Sequence, residues 1–217
     1  MDAAHEIEAM KIVILDIEGS GGRIKRDPYG TGSIVSLGAV DFVTKDEFYE
    51  ECRVMEGRGY DDEALKVNGF TKEQIYDAKK QSVLELLLKF EAFCRDHGSK
   101  LLGAWGNYDL KMLVAAYEYY GREWALPDKY ANLKSVSKEI LGQSKSGLSN
   151  TARKLGMPPE QKPHIGINGA RLAAENISVL LYGRHYYKEY EAYPVPRLKH
   201  ADLELPIIEV RAQHRKI

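Results

Sequence analysis

Asp16 and Glu18 stand two residues apart at the end of an apolar run, Lys11-Ile12-Val13-Ile14-Leu15. In a strand, side chains two apart share a face and lie about 6.6 Å from one another, at about 3.3 Å per residue. The pattern therefore predicts two carboxylates side by side, among residues that favour burial. Burying two unpaired negative charges is expensive, and a divalent cation between them would offset that. The other reading of an isolated Asp-x-Glu is a strand end fraying into solvent, with Asp16 capping the next loop. Two further groups follow along the chain. Asp109 comes directly after Trp105-Gly106-Asn107-Tyr108 at the expected start of a helix, and His164 lies in a glycine-containing loop before a late helix. Taken singly, Asp109 reads as a first-turn acid favoured by the helix dipole, and His164 as a solvated loop histidine. Their order and local sequences carry more than any one of them.

These groups need elements to hold them. Lys11 to Ile17 is rich in β-branched residues and predicts a buried strand. Residues 19–32 hold several glycines, a proline and the basic Arg23, Lys25 and Arg26, which predicts a flexible loop. Ser33 to Val43 and Phe48 to Met55 predict a second and third strand, completing an antiparallel meander. Thr71-Lys-Glu-Gln is a capping-box pattern ahead of a short helix. Val83, Leu86, Leu87, Phe90, Phe93 and Cys94 then recur with helical period. Lys100 to Trp105 predicts a short strand, Leu110 to Tyr120 a helix, Tyr130 to Leu133 a strand, and Ser135 to Leu141 and Leu148 to Leu155 two helices. His164 to Ile167 reads as a loop and Ala170 to Leu181 as a helix. Strands followed by alternating helices and strands give an α/β fold with a mixed central sheet, a three-stranded antiparallel meander flanked by helices.

The chain has 217 residues, 44% of them hydrophobic and 29% charged, which fits one domain of ordinary size. We divide it into an N-terminal extension (1–10), the main domain (11–193) and a C-terminal tail (194–217). A net charge of -1 leaves no overall electrostatic footprint for nucleic acid, so any basic surface is local. Cys52 and Cys94 lie far apart without metal-ligand spacing, which suggests a reduced, cytoplasmic protein. The polar, acidic start is no signal or transit peptide, and no apolar run is long enough to cross a membrane. Gly19-Ser20-Gly21-Gly22 follows a strand but lacks the spacing of a dinucleotide or Walker loop. Tyr117, Tyr119 and Tyr120 read as core and boundary packing. Tyr182, Tyr186, Tyr187, Tyr190 and Tyr193 either pack the tail or form a partner surface.

Three segments together resemble a known family. Ile12-Val-Ile-Leu-Asp-Ile-Glu-Gly19, Trp105-Gly-Asn-Tyr-Asp-Leu-Lys-Met-Leu113 and His164-Ile-Gly-Ile-Asn-Gly-Ala-Arg171 are similar to the three exonuclease motifs of the DEDDh 3′→5′ exonucleases. Ser33 to Val40 resembles that family's second strand, and Glu63 to Thr71 its helix-opening segment after the third. Trp-Gly-Asn-Tyr-Asp resembles the branch with the sporulation-inhibitor-like and RNA-trimming exonucleases. The likeness spans about Lys11 to Leu181. It implies an RNase H-like fold and metal-dependent hydrolysis of single-stranded RNA or DNA 3′ ends to nucleoside monophosphates. Two ions, Mg²⁺ or Mn²⁺, would be expected. Asp16 and Glu18 would hold metal, Asp109 would hold the second ion through water, and His164 would act as general base, its ordinary pKa of about 6.5 suiting that task. Gly19, Ser20, Asn107 and Tyr108 would approach the substrate. Arg23, Lys25, Arg26 and Tyr29, with Tyr108 and Lys111, are candidates for strand binding by charge and stacking.

One position departs from the pattern. The family places an aspartate five residues after the histidine, as a direct metal ligand; here that residue is Gly169, preceded by Asn168. The amide of Asn168 is a weaker ligand for a hard cation, and on a helix it points about 100° away from residue 169. Glu175 is about 9 Å further along at 1.5 Å per residue. Three readings stay open: an exonuclease in which water or Asn168 fills the gap, a catalytically silent nucleic-acid-binding or regulatory module, and a glycine introduced to trap substrate.

Overall fold

The computed structural model describes residues 3–21, 32–142, 147–158, 165–198 and 204–210. After the helix α1 (Ala3–Met10) come three strands, β1 (Ile12–Gly19), β2 (Ile34–Asp41) and β3 (Glu47–Glu51). Helices α2 (Asp62–Asn68), α3 (Lys72–Ile75) and α4 (Val83–Asp96) follow, then β4 (Leu101–Ala104), α5 (Tyr108–Tyr119) and β5 (Lys129–Asn132). The chain continues through α6 (Leu133–Leu141), α7 (Leu148–Lys154) and α8 (Gly166–Tyr182) to β6 (Ile207–Glu209). The sheet order is β3-β2-β1-β4-β5-β6. β1 runs antiparallel to β2 and parallel to β4, and β4 parallel to β5. This is the mixed α/β architecture expected from the sequence.

Alternation along β1 explains how the two faces divide. Val13, Leu15 and Ile17 join a core with α4 and α5, through Phe90, Leu113 and Tyr117. Ile12 and Ile14 join the opposite core with α8, through Ala170, Ala173 and Ile177. Each such fully buried aliphatic side chain contributes roughly 1.5–3 kcal/mol relative to exposure. Asp16 and Glu18 continue the Ile12–Ile14 face, so both carboxylates emerge where the apolar side chains stop.

Capping chemistry fixes several helix starts. Thr71 Oγ1 accepts from Gln74 N, and Gln74 Oε1 accepts from Thr71 N, as the pattern predicts. Ser82 and Glu85 form a second capping box at α4. The third strand ends earlier than expected, at Glu51: Arg53 N and Val54 N turn to Gln81 O and Ile75 O instead of to the sheet. Residues 166 and 167, read as loop, belong to α8. Their glycine serves close packing rather than a turn, as the site shows. Described segments toward both ends also join the fold. Ile7 of α1 is fully buried, Tyr182 Oη donates to Ala4 O, and β6 pairs antiparallel with β5.

Candidate active site

A cleft of about 570 Å³ opens at the carboxyl end of β1, and Asp16, Glu18 and Asp109 all line it. Asp16 and Glu18 reach it from the α8 face of the sheet, in register with Gly38 and Ser36 of β2. Asp109 comes from the other layer, in the first turn of α5. Its Oδ1 accepts from Ile17 N at 2.9 Å, which ties the helix start to the strand between the two carboxylates. Asp109 is 6% exposed. Burial pushes its carboxyl up to about 6, against the lowering effect of the bonds from Ile17 N and its own backbone.

That shift has a consequence for stability. A carboxyl whose folded-state pKa exceeds its ordinary value of about 4 opposes folding once ionised; the penalty grows as pH rises from about 4 through 6 and is complete above. Asp109→Asn keeps the acceptor for Ile17 N and removes the charge. In EDTA at pH 8, thermal unfolding should show a Tm raised by several degrees, on the order of 5 °C. The gain should shrink as pH falls below 6.

The other residues expected at the site take different places. Gly19 lies at the strand end, and a Cβ there would meet Met112 Cε at 2.8 Å and Tyr108 Oη at 3.3 Å. Tyr108 is half exposed in the cleft. Ser20 is fully buried; its hydroxyl donates to Gly59 O at 2.9 Å and accepts from Ser33 N at 3.0 Å. Its backbone is engaged as well: the N–H donates to Ser33 O at 2.7 Å and the carbonyl accepts from Asp61 N at 2.9 Å. Asn107 Oδ1 accepts from Asn132 Nδ2 at 2.9 Å. His164, Arg23, Lys25, Arg26 and Tyr29 lie outside the described residues. Lys111 is exposed on α5 and does not line the cleft.

Sequence reasoning passed over several residues that line the cleft. Asn68 donates to Gly19 O at 2.8 Å, fixing the strand end to α2, and Ala64 and Val67 complete that wall. Their segment had been matched to the family without a role at the site. Trp105 stands at the end of β4, and Lys134, Ser149 and Asn150 come from α6 and α7. Gly106, at φ 134, carries the turn into α5, and its carbonyl accepts from the buried Tyr130 hydroxyl.

At residue 169 the packing is tight. A Cβ there would stand 2.2 Å from Asp16 Oδ2 and 2.6 Å from its Cγ. The Asp16 carboxylate therefore fills the space a side chain at 169 would need. Glu175 is remote from the cleft and fully committed. It accepts from Tyr186 N and Tyr187 N, each at 2.9 Å, and pairs with His185 Nδ1 at 2.6 Å.

The donors in the cleft are carboxylate oxygens, the kind that Mg²⁺ or Mn²⁺ takes. Among the described residues, no three acidic, imidazole or thiol side chains stand close enough to enclose an ion. Mg²⁺ is commonly held by one or two carboxylates, with waters and a substrate phosphate completing its shell, and Asp16 with Glu18 suits that mode. Cys52 and Cys94 are buried free thiols away from the cleft. No helix among the described residues is long and apolar enough to cross a membrane.

No family model matches the sequence, and no curated protein does so either. Solved structures do match. The nuclease domain of 3′hExo, described as a DEDDh family member bound to rAMP, superposes with a TM-score of 0.67 at 18% identity, over 87% of this chain and 96% of that one. A 3′-exonuclease in 3′-end specific recognition of a histone mRNA stem-loop matches at 0.67 and 18%, over 92% and 91%. Cell-death related nuclease 4 matches at 0.64 and 11%, over 81% and 64%. The six-stranded mixed sheet and its flanking helices are those of the RNase H-like exonuclease fold.

Proposed function

We propose that this protein is a metal-dependent 3′→5′ exonuclease acting on single-stranded RNA or DNA ends and releasing nucleoside monophosphates. One observation carries the reading: Asp16, Glu18 and Asp109, from stretches of chain far apart in sequence, line one cleft at the end of the central strand. The fold's likeness to structures bound to rAMP and to an RNA 3′ end supports it. Asp16 and Glu18 would hold a divalent cation, Mg²⁺ or Mn²⁺, with Asp109 holding a second through water. Bound there, such ions neutralise the scissile phosphate and lower the pKa of attacking water. The residues themselves do the positioning. Asp109 locks α5 to β1 through Ile17 N, Tyr108 and Val67 offer a face to the terminal nucleoside, and His164 takes the proton of the attacking water. Two buried free thiols fit a reducing, cytoplasmic setting.

A second reading is favoured by the contact at residue 169. Where the resemblance calls for an acidic ligand there is no room for a side chain while Asp16 keeps its place, and the domain would then bind nucleic acid without cleaving it. A 5′-labelled oligonucleotide incubated with Mn²⁺ or Mg²⁺ separates the two. A ladder of shortened products supports the exonuclease; retained binding without products supports the silent module. Gly169→Asp adds a carboxylate but forces Asp16 into another rotamer or α8 away from the sheet. We expect it to change the rate by less than tenfold in a chain that already cleaves, read as initial velocity in Mn²⁺. A restoration of about 10²-fold or more would mean that the glycine disarms the site.

A further inference from the structure

The cleft is wider than the chemistry proposed for it. On one side of the sheet's carboxyl edge, α2 and α5 supply Ala64, Val67 and Tyr108, an apolar and aromatic wall. On the other side, α6 and α7 supply Lys134, Ser149 and Asn150, with Asp16 and Glu18 between the two walls.

Lys134 is the one basic side chain among the described residues lining this cleft. It lies in the first turn of α6, where the positive end of the helix dipole disfavours a cation. It is half-buried, yet among the described residues no hydrogen bond or ion pair engages its ammonium group. A lysine held at the unfavourable end of a helix, with no partner among the described residues, is arranged for an anion from outside. The sheet order β1-β4-β5 sets the separation. At about 4.8 Å between neighbouring strands, the backbone at Asp16 and that at Asn132, nearly level across β4, stand about 10 Å apart. That spacing leaves room for a second phosphate of the same strand beside Lys134.

We infer that Lys134 binds a backbone phosphate upstream of the scissile one, so that the nucleic acid enters along the α6–α7 wall with its 3′ nucleoside against α2 and α5. The inference rests on the nucleic-acid reading above. The ammonium acts as a point charge on a phosphate, adding affinity without sequence preference.

The test is fluorescence anisotropy on the full chain in Mg²⁺, using a short 5′-labelled single strand with uncleavable 3′-terminal linkages, across a salt series. Lys134→Gln should weaken binding about five- to twentyfold, with the slope of log affinity against log salt reduced by about 0.7, the value for one single-strand phosphate contact. Lys134→Arg should restore both. Affinity for a nucleoside monophosphate, which has no upstream phosphate, should stay the same in both variants, as should the Tm. Unchanged affinity and slope in Lys134→Gln would overturn the inference while leaving the nucleic-acid reading standing. Equal losses for strand and mononucleotide would overturn it as well, by placing Lys134 at the carboxylates. Failure of the unaltered chain to bind any strand would remove the nucleic-acid reading, and the inference with it.

Discussion

Asp16→Asn is expected to slow the shortening of a 5′-labelled strand in Mn²⁺ by about 10²- to 10³-fold, the scale on which removal of one preorganised electrostatic group acts in an active site. The substitution isolates charge from shape. Asn has the volume of Asp, and residue 16 sits mid-strand, paired with Gly38 on β2. The fold should tolerate the change, with little shift in Tm. In the proposed site the lost negative charge matters because Asp16 would hold the metal: it shares a strand face with Glu18, and its Oδ2 fills the space beside Gly169. Activity unchanged in Asp16→Asn would remove this residue from the chemistry. Loss of activity accompanied by unfolding would show only that the strand had been damaged, which is why the melting curve belongs to the same experiment.

The second large effect is structural and lies beneath the site. Gly38→Ala should destabilise the protein by roughly 3 kcal/mol or more, seen as a Tm lower by about 6–12 °C. A Cβ at 38 would fall 2.0 Å from Ile167 N and 2.2 Å from Gly166 C, both backbone atoms that cannot rotate aside. Gly166 is equally confined from the other side, with Gly38 N at 2.8 Å and Asp16 O at 2.9 Å from its would-be Cβ. Glycines 38, 166 and 169 thus let the start of α8 settle directly on β1 and β2, beside Asp16. Helix α8 is buried along most of its length, so retreating from Gly38 would also open its contacts at Ala170 and Ala173. Gly183→Ala, at a left-handed C-cap with nothing within 4 Å of the new Cβ, is the control. It should cost about 1 kcal/mol through backbone strain alone.

Much of this architecture was legible in the sequence because the signals were local. The run ending in Asp-x-Glu gave β1 and the side on which the carboxylates emerge, since strand alternation is a property of the backbone. Thr71 and Gln74 announced their capping box, and the apolar residues from Val83 to Cys94 announced α4. Gly166 and Gly169 were harder to read. A glycine within three residues of a proline and a histidine looks like a loop, as Gly166 does, and only three-dimensional packing shows that the missing side chains allow a helix to touch a sheet. Ser20 shows the same limit: beside a glycine at a strand end it reads as open to the substrate, but the fold turns its hydroxyl onto Gly59 O and engages its N–H and carbonyl with Ser33 O and Asp61 N. Lys134, Ser149 and Asn150 had no motif around them. Their membership of the cleft follows from the order of β1, β4 and β5 in the sheet, which no local pattern specifies.

The central claim is that Asp16 and Glu18, supported by Asp109, form a centre for divalent cations. Anomalous diffraction from crystals soaked in Mn²⁺ with a nucleoside monophosphate reads it most directly. The account predicts manganese within about 2.3 Å of carboxylate oxygens of Asp16 and Glu18, with the nucleotide phosphate on the metal. A cleft without manganese at saturating Mn²⁺, or ions bound only on other surfaces, would contradict it.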